Sequence, residues 1–183
     1  LYSMPFRLKK EITIDFGEHL TGYFSFSVRS TGLAADGLLR FKLTFGEVPS
    51  EVAVSFDSYK EGLSRAWLQD EVVSVMYVPQ TVTLPRRLAF RYIKIELLGS
   101  SPYYDFNIHD MKCMAQTSAQ NIPEELPQAV DPMIRKIDRV GLNTLKECMQ
   151  TVYEDGPKRD QRLWIGDLYL EALGNNYSYK PYD

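Results

Sequence analysis

The 183-residue chain carries 44% apolar and 25% charged side chains, the make-up of a globular protein long enough to bury one good core. Its net charge of -3 offers no basic face to nucleic acid or to an anionic membrane surface, and no apolar stretch approaches the roughly 20 residues that span a bilayer. The two cysteines, Cys113 and Cys148, and the two histidines, His19 and His109, lack metal-ligand spacing, so no disulfide framework, zinc site or cofactor is expected.

The opening LYSMPFRLKK has neither the apolar run nor the cleavage site of a signal peptide. From there the pattern has period two. EITIDF (11–16) alternates, and GYFSFSVRS (22–30) sets Phe24, Phe26 and Val28 opposite Tyr23, Ser25, Ser27 and Arg29. LLRFKLTF (38–45) sends Leu39, Phe41, Leu43 and Phe45 to one face and Arg40, Lys42 and Thr44 to the other. VVSVMYV (72–78), TVTL (81–84), FRYIKIELL (90–98) and DFNIHDMKCMA (105–115) continue the series. Half-buried antiparallel strands read this way, and about seven of them predict a mainly β fold, a jelly-roll-like antiparallel β-sandwich over residues 1–117.

SAQNIPEELPQAVDP is polar and proline-rich, and 118–130 reads as a linker. Beyond it the period changes. Asp131 and Pro132 make an N-cap and first-turn pair, and Ile134, Ile137, Gly141, Leu145, Cys148 and Val152 fall on one helical stripe. Cys148 reads as a small core residue on that stripe. The helix is expected to end before Gly156-Pro157, and LYLEALGNNYSY (168–179) to form a second one. Two helices do not bury a stripe of that length. Residues 131–183 therefore read as the start of a helical domain whose remainder lies elsewhere.

Between the helices stands EDGPKRDQRLWIGD (154–167), with three aspartates and three basic side chains around one tryptophan. If 160–167 were helical, two turns would put Asp160 and Asp167 on one face about 10 Å apart. Gly156-Pro157 makes the front part a bend, and Asp167 suits the N-cap of the second helix. On these grounds alone the segment is either a capped interhelical loop or a site for a polar, uncharged ligand.

DGPKRDQRLWIGD (155–167) resembles the block D-C-P-x-R-E-R-L-G-W-T-G-D of the bacterial α-L-rhamnosidases of glycoside hydrolase family 78. Asp155, Pro157, Arg159, Trp164, Gly166 and Asp167 match without a gap. DFGEHLTGYFSFSV (15–28) resembles the D-F-G-x-N-x-x-G strand pair of the sandwich that precedes that family's catalytic domain, and FGEV (45–48) and AFRYIKIE (89–96) resemble later strands of it. The resemblance implies a sandwich followed by the first helices of an (α/α)6 barrel that releases terminal α-L-rhamnose with inversion. It implies that Asp155 and Asp167 accept hydrogen bonds from rhamnose hydroxyls, that Arg159 and Trp164 complete the sugar pocket, and that Asp160 is the general acid. The general base would come from a later glutamate, in the remainder of the barrel supplied by the same gene, and the partner would be a rhamnose-containing glycoside or polysaccharide. This sequence departs from the pattern at the acid, usually a glutamate. Asp160 is one methylene shorter, which leaves three alternatives: Asp160 is the acid, Gln161 or another neighbour replaces it, or the enzyme is impaired.

A different class of function is a non-catalytic carbohydrate-binding or structural sandwich. Aromatic side chains pack sugars well, and Tyr23, Tyr59, Trp67, Tyr103 and Tyr104 are the candidates for such a platform.

Overall fold

The computed structural model describes residues 10–32, 34–58, 60 and 67–179. They divide into two compact units, 1–115 and 116–183.

The first unit is a six-stranded antiparallel sheet of β1 (Glu11–Ser30), β2 (Leu39–Gly46), β3 (Gln69–Val75), β4 (Gln80–Thr83), β5 (Leu88–Gly99) and β6 (Phe106–Ala115). The strand order is β3-β2-β5-β1-β4, and β6 pairs with β1. EITIDF and GYFSFSVRS, expected as two strands, are one 20-residue strand. Its first half pairs with β5 from Glu11↔Glu96 to Gly22↔Leu88. Its second half carries β4 on one edge, Ser25↔Thr83 to Val28↔Gln80, and β6 on the other, Gly22↔Ala115 to Ser30↔Phe106. One strand thus belongs to both layers, and the sandwich is a single curled sheet.

The curl begins where the β1–β5 register shifts between Asp15 and Leu20. Asp15 holds the Arg91 guanidinium by two parallel bonds, Nε to Oδ1 at 2.8 Å and Nη2 to Oδ2 at 2.9 Å. Its Oδ1 also accepts the Gly17 N–H at 2.8 Å. The guanidinium and that amide hold the Asp15 carboxyl down to about 2. Gly17 takes φ +86°, a conformation that glycine reaches without steric cost. Phe16 meets Phe24 and Phe90 edge-on, with centroids 6.2 and 5.5 Å apart. The same irregularity breaks the alternation of β5. Phe90, Ile93 and Ile95 are all fully buried, so the buried face changes phase at Arg91–Tyr92.

The predicted inward faces pack together. Phe24 and Phe26 of β1 meet Phe45 and Phe41 of β2 at 5.7 and 6.0 Å, and Phe106 of β6 meets Phe41 at 5.7 Å. Aromatic pairs at these spacings add to the area they bury. Thr44, assigned by its period to the outward face, is buried instead. The short helix α1 (Pro49–Ala53) packs beside β2, with Val52 buried.

Close backbone approach makes Gly22 a sensitive position, because a Cβ there would run into the Met114 carbonyl of β6. Gly22→Ala should destabilise the sandwich by about 1–3 kcal/mol, several degrees in melting temperature, read by thermal or urea unfolding. Gly99→Ala, with open space around its Cβ, should stay within about 0.5 kcal/mol of the parent.

Candidate functional site

The charged segment belongs to the second unit. Asp131 caps α2 (Pro132–Cys148) as expected, its Oδ1 accepting the Met133 N–H at 2.7 Å. The helix stops well before Gly156-Pro157, because the connector satisfies its terminal carbonyls. Thr117 Oγ1 donates to the Lys146 carbonyl at 2.7 Å, Gln150 Nε2 to that of Glu147 at 2.9 Å, and the Ser118 N–H to that of Met149 at 2.7 Å. Gln150 Nε2 also reaches the Gln116 carbonyl at 2.7 Å, so one amide ties connector to helix end.

The expected stripe is only partly a core. Cys148 is buried and Leu145 half-buried, whereas Ile134, Ile137 and Gly141 are exposed and Val152 lies beyond the helix. A second helix, α3 (Ile165–Tyr177), starts three residues earlier than LYLEALGNNYSY suggests. Tyr179 Oη bonds the Leu142 carbonyl of α2 at 2.9 Å, and Asn175 Nδ2 bonds Tyr153 Oη at 2.7 Å.

Residues 149–164 join the helices without being helical, so Asp160 and Asp167 do not share a helix face. The loop closes at a neck, where the Asp155 N–H donates to the Arg162 carbonyl at 3.0 Å and the Arg162 N–H reaches back to Asp155 Oδ1 at 3.4 Å. Asp155 is half-buried there. Arg159 and Asp160 are exposed in the turn beyond, and Asp160 and Gln161 both take positive φ, 64° and 51°. Two successive non-glycine residues in that region cost roughly 1–2 kcal/mol each. Among the described residues the Asp160 carboxylate has no hydrogen-bond or ion-pair partner. Trp164 is the N-cap residue of α3, with its side chain half exposed. Asp167 is not the N-cap but stands in the first turn, where the helix dipole favours a carboxylate.

One acidic group escaped the motif reading. Glu171 faces Cys148 across the two helices, and its carboxyl is pushed up by burial. The Cys148 hydrogen bond opposes that shift, and the charges of Asp167, Asp155 and Glu154 add to it. The fold therefore brings Asp155 and Asp167 to bear on one place, while Asp160 sits in the turn beyond the neck. The available signal was the i, i+4 spacing of Asp167 and Glu171. No group of three His, Cys, Asp or Glu among the described residues is arranged to hold a metal ion.

The described candidates for an aromatic platform differ in burial. Tyr104 is a core residue whose hydroxyl donates to the Gly37 carbonyl at 2.7 Å, and burial pushes its phenol up. Tyr103 is exposed, Tyr23 and Trp67 are half-buried, and Tyr59 lies outside the described residues.

Residues 1–115 match the model of the glycosyl hydrolase family 78 alpha-rhamnosidase N-terminal domain. The chain belongs to glycosyl hydrolase family 78. A solved rhamnosidase from Klebsiella oxytoca with rhamnose bound is similar over 92% of this chain, at 41% identity and a TM-score of 0.87. A family 78 rhamnosidase of Bacillus sp. GL1 has the same fold over 93% of the chain, at 22% identity and a TM-score of 0.71. Among curated proteins nothing matches. This family 78 chain spans 33% of the Klebsiella protein and 16% of the Bacillus one. In both comparisons the likeness extends well past residue 115, into the helical unit. No helix among the described residues is long and apolar enough to cross a membrane.

Cys148 behaves as the buried residue its helical position predicts. Burial first, and then the Glu171 charge, push its thiol up to about 12. In the folded chain at pH 8 it should resist iodoacetamide and become labelled only on denaturation, as mass mapping would show. Glu171 makes a second prediction. A carboxyl raised on folding stabilises the protein fully below the ordinary glutamate value of 4.5, and that stability is lost as pH rises through the raised value. Glu171→Gln should therefore raise the melting temperature of this chain at pH 7 and leave it nearly unchanged at pH 4.

Proposed function

We propose that this chain is the N-terminal part of an inverting α-L-rhamnosidase, with Asp160 as the general acid. The carrying observation is the 41% identity to a rhamnosidase over 92% of the chain, a span that reaches beyond the sandwich. The ungapped block from Asp155 to Asp167 supports the same reading. In this reading residues 1–117 are the supporting sandwich, 118–130 a linker and 131–183 the opening helices of the catalytic barrel.

The chemistry assigns a role to each residue. Asp155 and Asp167 accept hydrogen bonds from the hydroxyls of a neutral sugar, Arg159 lends a donor, and Trp164 covers an apolar face of the ring. Asp160, in its protonated form, gives its proton to the departing glycosidic oxygen and becomes the carboxylate; its side chain is exposed in the turn beyond the neck. Inversion requires a second carboxylate on the opposite face, about 6.5–9.5 Å from the first, to activate water. That base comes from the remainder of the barrel, so residues 1–183 alone are inactive.

Hydrolysis of an aryl α-L-rhamnoside tests the reading. The complete gene product should turn it over and the 183-residue chain should not. Asp160→Asn in the complete protein should lower kcat by about 10²- to 10⁴-fold. Turnover by the isolated chain, or full activity in the variant, would overturn the assignment.

A further inference from the structure

Among the described residues the Asp160 carboxyl has no side-chain or backbone partner, and its own backbone is left-handed. Whatever fixes φ at 160 and 161 therefore fixes the direction in which the Asp160 side chain leaves the backbone. Three hydrogen bonds inside the turn come from one residue, Gln161. The Gln161 N–H is shared between the Arg159 carbonyl at 2.8 Å and the Gly156 carbonyl at 3.3 Å. Its side-chain Nε2 donates to the Pro157 carbonyl at 2.7 Å. The side-chain bond spans four residues and folds Gln161 back over the turn, next to the residue whose carboxyl projects outward.

We propose that Gln161 is the positioning residue for Asp160, its amide anchored on the Pro157 carbonyl so that the left-handed pair 160–161 presents the carboxyl to the glycosidic oxygen. This rests on Asp160 being the general acid. It also decides against Gln161 as a substitute acid, because a carboxamide has no proton to give at working pH and this one is engaged within the loop. A carboxyl on an untethered left-handed turn would sample many directions. The loss on freeing it falls on the step in which the proton moves, more than on binding of the sugar.

The test uses the complete gene product and two substrates, an alkyl α-L-rhamnoside whose poor leaving group needs protonation and a dinitrophenyl rhamnoside whose leaving group does not. Gln161→Ala should lower kcat on the alkyl substrate by about ten- to a hundredfold, with KM changed less than about twofold and little loss on the dinitrophenyl substrate. Asp160→Asn should show the same substrate pattern, more strongly. The double variant should be no worse than Asp160→Asn alone, because both changes remove the same proton transfer. Gln161→Asn keeps an amide and tolerates positive φ, so it should retain more activity than Gln161→Ala, and it replaces that variant if the alanine protein does not fold. Equal losses on both substrates, an unchanged kcat, or additive losses in the double variant would overturn the positioning role while leaving Asp160 as the acid. If Asp160→Asn kept its activity on the alkyl substrate, the acid assignment itself would fall, and Gln161 would have nothing to position.

Discussion

The sandwich depends on a single strand being able to serve two layers. β1 does so because its ladder with β5 is interrupted between Asp15 and Leu20, and the interruption is held by one carboxylate. Asp15 binds the Arg91 guanidinium on the facing strand and the Gly17 amide on its own, while Phe16 plugs the corner against Phe24 and Phe90. A bidentate pair fixes direction as well as distance, which a point charge would not. The bend then lets Phe24 and Phe26 lie over Phe45 and Phe41, and the core forms between the two halves of the same sheet.

The second unit is organised by a different economy. Its first helix ends where connector side chains and Gln150 take up the terminal carbonyls, and the chain leaves that end to make the charged loop. The loop carries strain at Asp160 and Gln161, and its own hydrogen bonds hold that strain in place. Strained backbone of this kind clusters where a side chain must be aimed, and here it falls on the residue proposed as the general acid. Around it the acids divide by environment. Asp160 is exposed, whereas burial pushes the Glu171 carboxyl up. Asp155 is half-buried and Asp167 exposed, and the charges of both reach Glu171.

Much of this was legible in the residues. Period-two alternation located the strands and nearly all of their inward residues, because a strand pleat gives neighbouring side chains opposite environments whatever the topology. The Asp131-Pro132 start of α2 was equally plain, since a cap is a local interaction. Two readings failed. Thr44 is buried where its period called for an exposed side chain, and the buried face of β5 changes phase opposite the irregularity in β1, a strand distant in sequence.

By itself, the sequence determined the strand faces, the helix start, the family resemblance and the identity of the charged block. These follow from local periodicity and from side-chain chemistry written in order along the chain. Only the tertiary structure decided that two expected strands are one, that Asp167 lies inside a helix rather than at its cap, and that Glu171 joins the acids. It alone showed the left-handed backbone at 160–161. Those outcomes depend on burial and on hydrogen bonds closed between separated residues, and a dihedral angle that one residue disfavours is reached only when its surroundings hold it there.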